Sequence, residues 1–395
     1  MLKVFSLRQD VLARWAVIGL LILLCMPWVT FSSKSYHQAI IALLWLPALL
    51  ALFRSDFRRR LRQPEVMLFA ALGAWSLLVL LVQGGHEPLS KSKVPLYVAL
   101  TLLGIMVAAL DARWSLESQL RTCVLLGGLG AALSISYYYF YSVAVDGRLV
   151  AIGLWDRAIM AAHAVGALAV LGACLLGGGS PRRWVTILLV LALISEVLFL
   201  ALNQTRGVWL AMSAALVMLV IAVPSRLGWI LLALTLIGVA GVAVFEPQLL
   251  LQRGFSYRPA LWSGGLQLFY DNWLLGVGFN PYDIAVPAIS ASYKHPHNLF
   301  LDTAIRIGLP GLLLLLLLWG MVFLRAWQNR DIALGRGLLA LWTFSSVALM
   351  TDGIGLWLKP NADWLVTWLP VALSMVLAMR CADSRVCDAV DHGNR

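Results

Sequence analysis

The sequence predicts an all-α protein that crosses a lipid bilayer about twelve times. Three observations carry that prediction. Of 395 residues, 61% are hydrophobic and only 12% are charged, about half the charged share of a soluble domain. The apolar residues gather into runs near the ~20 residues that a spanning helix needs. The basic residues are spread unevenly between those runs, as an oriented membrane protein requires.

The apolar runs occupy 14–30, 37–53, 65–83, 95–110, 120–142, 158–176, 184–202, 208–222, 228–245, 309–324, 337–351 and 363–379. Their connections are short, so residues 1–395 are expected to form a single integral membrane domain with no soluble domain beside it. An even number of crossings puts both termini on one side. With the N-terminus in the cytoplasm, the inner segments hold 19 of the 30 basic residues and the outer segments 10, with Arg306 near the start of the tenth run. The strongest inner anchor is Arg54, Arg58, Arg59, Arg60 and Arg62. Such a cluster meets anionic lipid, so the net charge of +11 is no sign of nucleic-acid binding. The basic start, Met1 to Arg14, shows no small-residue cleavage site and reads as an uncleaved first span.

The five cysteines are Cys25, Cys123, Cys174, Cys381 and Cys387. Three lie in apolar runs and two in a tail placed in the reducing cytoplasm, so no disulfide is expected. No pair has metal-ligand spacing, and the outer segments carry no acidic cluster for a divalent cation. No metal and no cofactor are therefore expected.

One connection is long. Residues 246–296 form an outer loop of mixed composition, and a loop of that length in a tight membrane protein is usually functional. Within it, Tyr257 to Asn272 reads as a helix lying on the membrane surface. Leu275-Gly276-Val277-Gly278 reads as a tight turn.

Charge at membrane depth calls for a functional reading, and the outer face holds the informative set. Arg206 follows the seventh run and precedes Gly207, which permits close approach of backbone or ligand. Arg258 lies in the long loop, and His295 and His297 close it. A lone Arg at a span end is often only a snorkelling anchor. Two arginines and a histidine on one face suit a diphosphate, because Arg binds phosphate oxygens bidentately and keeps its charge. A histidine is suited to take a proton near neutral pH. Lys294, Asn298, Arg157 and Lys93 are secondary candidates on the same face. The spans are mostly unbroken Leu/Val/Ala runs, which argues against a transporter with broken midplane helices.

The fragments stand in a telling order. Thr205-Arg206-Gly207 is followed by Arg258-Pro259-Ala260-Leu261-Trp262, then Gly276-Val277-Gly278, then His295-Pro296-His297-Asn298-Leu299-Phe300, then Ile307-Gly308-Leu309-Pro310-Gly311. This pattern resembles the O-antigen ligase and polymerase superfamily, and within it the O-antigen ligases. The resemblance implies an architecture similar to the GT-C glycosyltransferases that use lipid-linked sugars. It implies a bacterial inner-membrane enzyme with a periplasmic site. That enzyme moves a glycan from undecaprenyl diphosphate to a sugar hydroxyl of the lipid A core, without a metal and with inversion. It assigns Arg206 and Arg258 to the diphosphate and His297 to catalysis. An O-antigen polymerase is the alternative within the superfamily, and a lipid-linked sugar transporter lies outside it. One departure is Arg306, at a position where many relatives carry an acid.

Overall fold

The computed structural model describes residues 9–141, 147–176, 182–245, 257–286 and 291–393. Residues 1–8 of the basic N-terminus, part of the long loop including Ser290, and the Cys387 side chain lie outside the described residues.

A bilayer offers no water to backbone N–H and C=O groups, so apolar segments close their hydrogen bonds as helices. All twelve apolar runs fall on helix. The helices are α1 (Gln9–Cys25), α2 (Ser33–Ile40), α3 (Leu46–Ala51), α4 (Ser55–Arg60), α5 (Pro64–Gln83), α6 (Pro88–Ser92), α7 (Val94–Ala108) and α8 (Leu116–Tyr141). They continue with α9 (Ala158–Leu175), α10 (Arg183–Asn203), α11 (Arg206–Ala222), α12 (Arg226–Phe245), α13 (Arg258–Asp271), α14 (Leu299–Gln328), α15 (Ala333–Asp352) and α16 (Trp364–Gly393). Among the described residues, nine helical segments are long and apolar enough to cross a membrane. The protein is a multi-pass, mostly helical membrane protein.

Of the remaining three runs, the eighth lies on α11, of 17 residues, and the ninth on α12, of 20 residues. The second run is split between α2 and α3 by a π-turn at Ile41–Trp45. Pro47 explains the split, because it has no N–H for the Leu43 carbonyl one turn earlier. Gly19 of α1 packs against that carbonyl, where any side chain would collide.

Helices α9 and α16 form the centre. The residues of α9 are almost all buried, and its sequence is rich in Ala and Gly, which lets neighbours approach closely. A buried pair, His163 Nδ1 to Asp363 Oδ1 at 3.0 Å, ties α9 to the start of α16. Helix α10 exposes Ile187, Leu191, Ile194 and Leu198, as a lipid-facing helix should.

The break in α14 holds the long loop down. Ile307 and Gly308 leave helical geometry, and Pro310 cannot bond the Arg306 carbonyl. Backbone groups freed there find other partners. Gly278 N–H donates to Arg306 O at 2.9 Å and Val277 N–H to Ile305 O at 2.8 Å. Leu309 N–H donates to Trp273 O at 2.7 Å, and Trp75 Nε1–H to Ile307 O at 2.8 Å. Gly308 has φ of +67°, and a side chain there would strike the Leu274 carbonyl. The tenth apolar run began at 309 because this break follows the polar first turns of the helix.

The loop residues 257–286 and 291–296 thus form a built layer. The expected helix is α13, and the expected tight turn has Gly276 and Gly278 at positive φ. A two-stranded hairpin, β1 (Ile284–Val286) with β2 (Ala291–Tyr293), completes it. Leu261, Tyr282, Ile284, Val286 and Ile305 form a small second core beneath.

Candidate active site

Asp352 ends α15 with a side chain only 3% exposed. A buried carboxylate needs partners, and it draws them from three distant segments. Arg258, the first residue of α13, donates Nη2–H to Asp352 Oδ1 and Nε–H to the Thr351 carbonyl, each at 2.7 Å. His297 Nδ1 lies 3.5 Å from the same Oδ1. The first turn of α11 packs against the carboxylate: a Cβ on Gly207 would stand 2.7 Å from Thr351 Oγ1 and 3.2 Å from Asp352 Oδ2. The close approach expected at Gly207 is therefore made by α15, which also sets the carboxylate beside the positive end of the α11 dipole.

Arg206 is positioned by the two-residue reversal between α10 and α11. Asn203 is fully buried, and its side-chain N–H groups donate to Leu149 O at 2.7 Å and Ala158 O at 2.9 Å. Gln204 takes a left-handed conformation, and Thr205 bonds back to Asn203. Arg148 closes the turn from the other side by donating Nε–H to Asn203 O at 3.0 Å.

These segments enclose a cleft of about 690 Å³ lined by Arg148, Arg206, Arg258, His297 and Asp352 among others. Three guanidinium groups face one carboxylate, so the cleft favours an anion. Tyr257 and Tyr293 add aromatic walls. Among the described residues, four non-glycine residues have positive φ, and three of them line this cleft: Gln204, Tyr257 and His297. Left-handed geometry costs roughly 1–2 kcal/mol per residue, and such strain concentrates at functional sites.

His297 does not begin the helix. It precedes Asn298, whose side chain caps α14 by accepting from Phe300 N and Leu301 N, each at 3.1 Å. Asn298 is thus a capping residue. An Nδ1–H held by Asp352 leaves Nε2 of His297 as the proton acceptor. His295 packs edge-on against the His297 ring at 4.3 Å between centroids. Burial, with added repulsion from His297 and Arg306, pushes the His295 pKa down to about 4.

The secondary candidates separate. Lys294 and Arg157 are exposed beside the cleft and do not line it. Lys93 lies in a different pocket, with His37 and Lys359. Arg306 is paired with Asp302 one turn earlier, Nε to Oδ2 at 3.1 Å, and its guanidinium covers the Tyr282 ring at 4.8 Å. The departure at position 306 thus coexists with a carboxylate on the same helix face. Sequence reasoning passed over Asp352, although a charge ending an apolar run is the same signal that picked out Arg206.

The O-antigen ligase family profile matches residues 187–316. An O-antigen ligase of Pseudomonas aeruginosa is 30% identical over 399 residues, covering 97% of each chain. The matched segment contains Arg206, Arg258 and His297, and the likeness to the relative runs nearly end to end. The likeness to that relative over nearly the whole chain shows that the chain belongs to the O-antigen ligases, a family of glycosyl-transferring membrane enzymes.

Proposed function

We propose that the protein transfers a glycan from undecaprenyl diphosphate to a sugar hydroxyl of the lipid A core, at the periplasmic face of the inner membrane. The observation that supports this most is the convergence of Arg206, Arg258 and Arg148 with the His297–Asp352 pair in one cleft. His297 Nε2 accepts the proton of the acceptor hydroxyl. The hydroxyl oxygen then bonds to the anomeric carbon of the donor sugar. The bond from that carbon to the diphosphate oxygen breaks, and the lipid diphosphate departs with the electron pair. The leaving group gains negative charge in this step, and fixed guanidinium groups stabilise it. A single displacement inverts the anomeric centre. The similarity to a ligase over the whole chain favours a lipid A core acceptor over a growing glycan.

The proposed topology has twelve crossings, both termini in the cytoplasm and the loop 246–296 in the periplasm. Tags at residue 58 and at the C-terminus are expected to report cytoplasm, and a tag near residue 285 periplasm. A cytoplasmic signal at 285 would remove the site from its substrates.

The proposed charge stabilisation needs no divalent cation. Among the described residues, no group of three His, Cys, Asp or Glu side chains converges in a metal-ligating cluster. Transfer by the purified protein is expected to survive EDTA. Loss of activity restored by magnesium or manganese would overturn the arginine account.

A further inference from the structure

A second pocket of about 490 Å³ includes Lys359, seven residues after Asp352. Lys93 and Lys359 line it with His37, Tyr97 and Glu87. Both lysines are exposed, and neither forms an ion pair among the described residues. The aromatic wall is rigid. Tyr97 stacks on Trp45 at 4.7 Å, and His37 stands edge-on to both rings.

The pocket is joined to the transfer site by covalent structure. Residues 353–359 run from Asp352 to Lys359, a reach of at most ~25 Å. Lys91, two residues before Lys93, lines a small cavity with Asp302, Arg306 and Gly355. The turn carrying these lysines is held to the outer layer by the Gly85–Phe279 bridge and by Asn280 Nδ2 donating to Gln83 O.

The chemistry of the walls narrows the ligand. Two ammonium groups attract a phosphate as point charges. Glu87 repels a bare anion but accepts hydroxyl donors. A flat aromatic wall suits a body with an apolar face and polar edges. These three preferences meet in a phosphorylated sugar. We propose that this pocket binds a phosphorylated sugar of the acceptor and so presents its hydroxyl to His297. The assignment to the acceptor rests on the transfer reaction proposed above.

The test uses the full chain in phosphatidylcholine nanodiscs, with glucose 6-phosphate and glucose as probes in saturation-transfer NMR and inorganic phosphate as a competitor. Glucose 6-phosphate is expected to bind the wild type. Its binding should weaken about tenfold or more in the Lys93→Ala/Lys359→Ala double variant and persist in Arg206→Ala. In transfer assays the double variant should raise KM for the acceptor about tenfold while kcat holds. Three results would overturn the proposal. Inorganic phosphate displacing the sugar phosphate would mean a plain anion site. Displacement of the sugar phosphate by phosphatidylglycerol in the nanodisc would mean a lipid headgroup site. Unchanged binding in the double variant would place the ligand elsewhere. If the transfer reaction itself is wrong, the wild type will be inactive on both substrates while probe binding still depends on Lys93 and Lys359.

Discussion

Replacing His297 by Ala is expected to cut transfer by about 10²–10⁴-fold, the usual cost of losing a general base. Donor binding should survive, because the three arginines of the cleft remain. Retained donor binding separates this from mere misfolding. His295 is the weaker base of the two candidates, since burial holds its pKa down to about 4. His295→Ala should therefore lose much less, chiefly through the ring contact it makes with His297. Asp352→Asn should resemble His297→Ala more closely, because an amide no longer favours the tautomer that leaves Nε2 unprotonated. Wild-type turnover in His297→Ala across pH 6–8 would reduce the mechanism to arginine electrostatics and positioning.

The second large effect is expected at the arginines, and the two should differ in kind. Removing one preorganised donor to a developing anion costs ~10²–10³-fold in kcat, so Arg206→Ala and Arg258→Ala should both be nearly inactive. Arg258→Ala should also destabilise the protein. It strips the guanidinium from a carboxylate only 3% exposed, and breaking such a buried pair costs about 3 kcal/mol or more. Adding Asp352→Asn to Arg258→Ala should return part of the lost thermal stability and none of the activity. Lys should rescue either position only in part. At 258 a single ammonium cannot reproduce the forked contact to Thr351 and Asp352 while also meeting a phosphate. Equal thermal stability of Arg258→Ala and wild type would show that the Asp352 pair is not an internal support of the site.

The same pair shows why part of the site was hidden in the sequence. Arg206, Arg258 and His297 were legible because each sits in a short local pattern of unusual residues. Asp352 lies 94 positions from Arg258, and no local pattern announces which residues a carboxylate will gather. Arg148 stands in no such local pattern. Its place in the cleft depends on Asn203, whose buried amide fixes the 148–158 segment against the α10–α11 reversal. Lys93 shared the face, the charge and the neighbourhood of the other candidates, yet folding puts it in another pocket. His163 and Asp363, 200 positions apart, are a further pair that apolar composition concealed.

What the sequence determined by itself was everything that the solvent dictates locally. Lipid thickness fixes the length of an apolar run, and an unsatisfied backbone cannot persist in lipid, so the twelve runs had to be helical. Break points were local too: Pro47 and the Gly308-Leu309-Pro310 stretch interrupt helices because of their own backbone chemistry. The tertiary structure alone decided which helix ends meet. Lipid is as apolar as the Leu/Val/Ala runs, so those runs gain nothing by choosing one another and do not specify neighbours. The packing of Gly207 on Asp352, of the Gly276–Gly278 turn on the α14 break and of α13 on Thr351 made that choice. Through those contacts, residues scattered from 148 to 352 became one cationic cleft with a histidine at its edge.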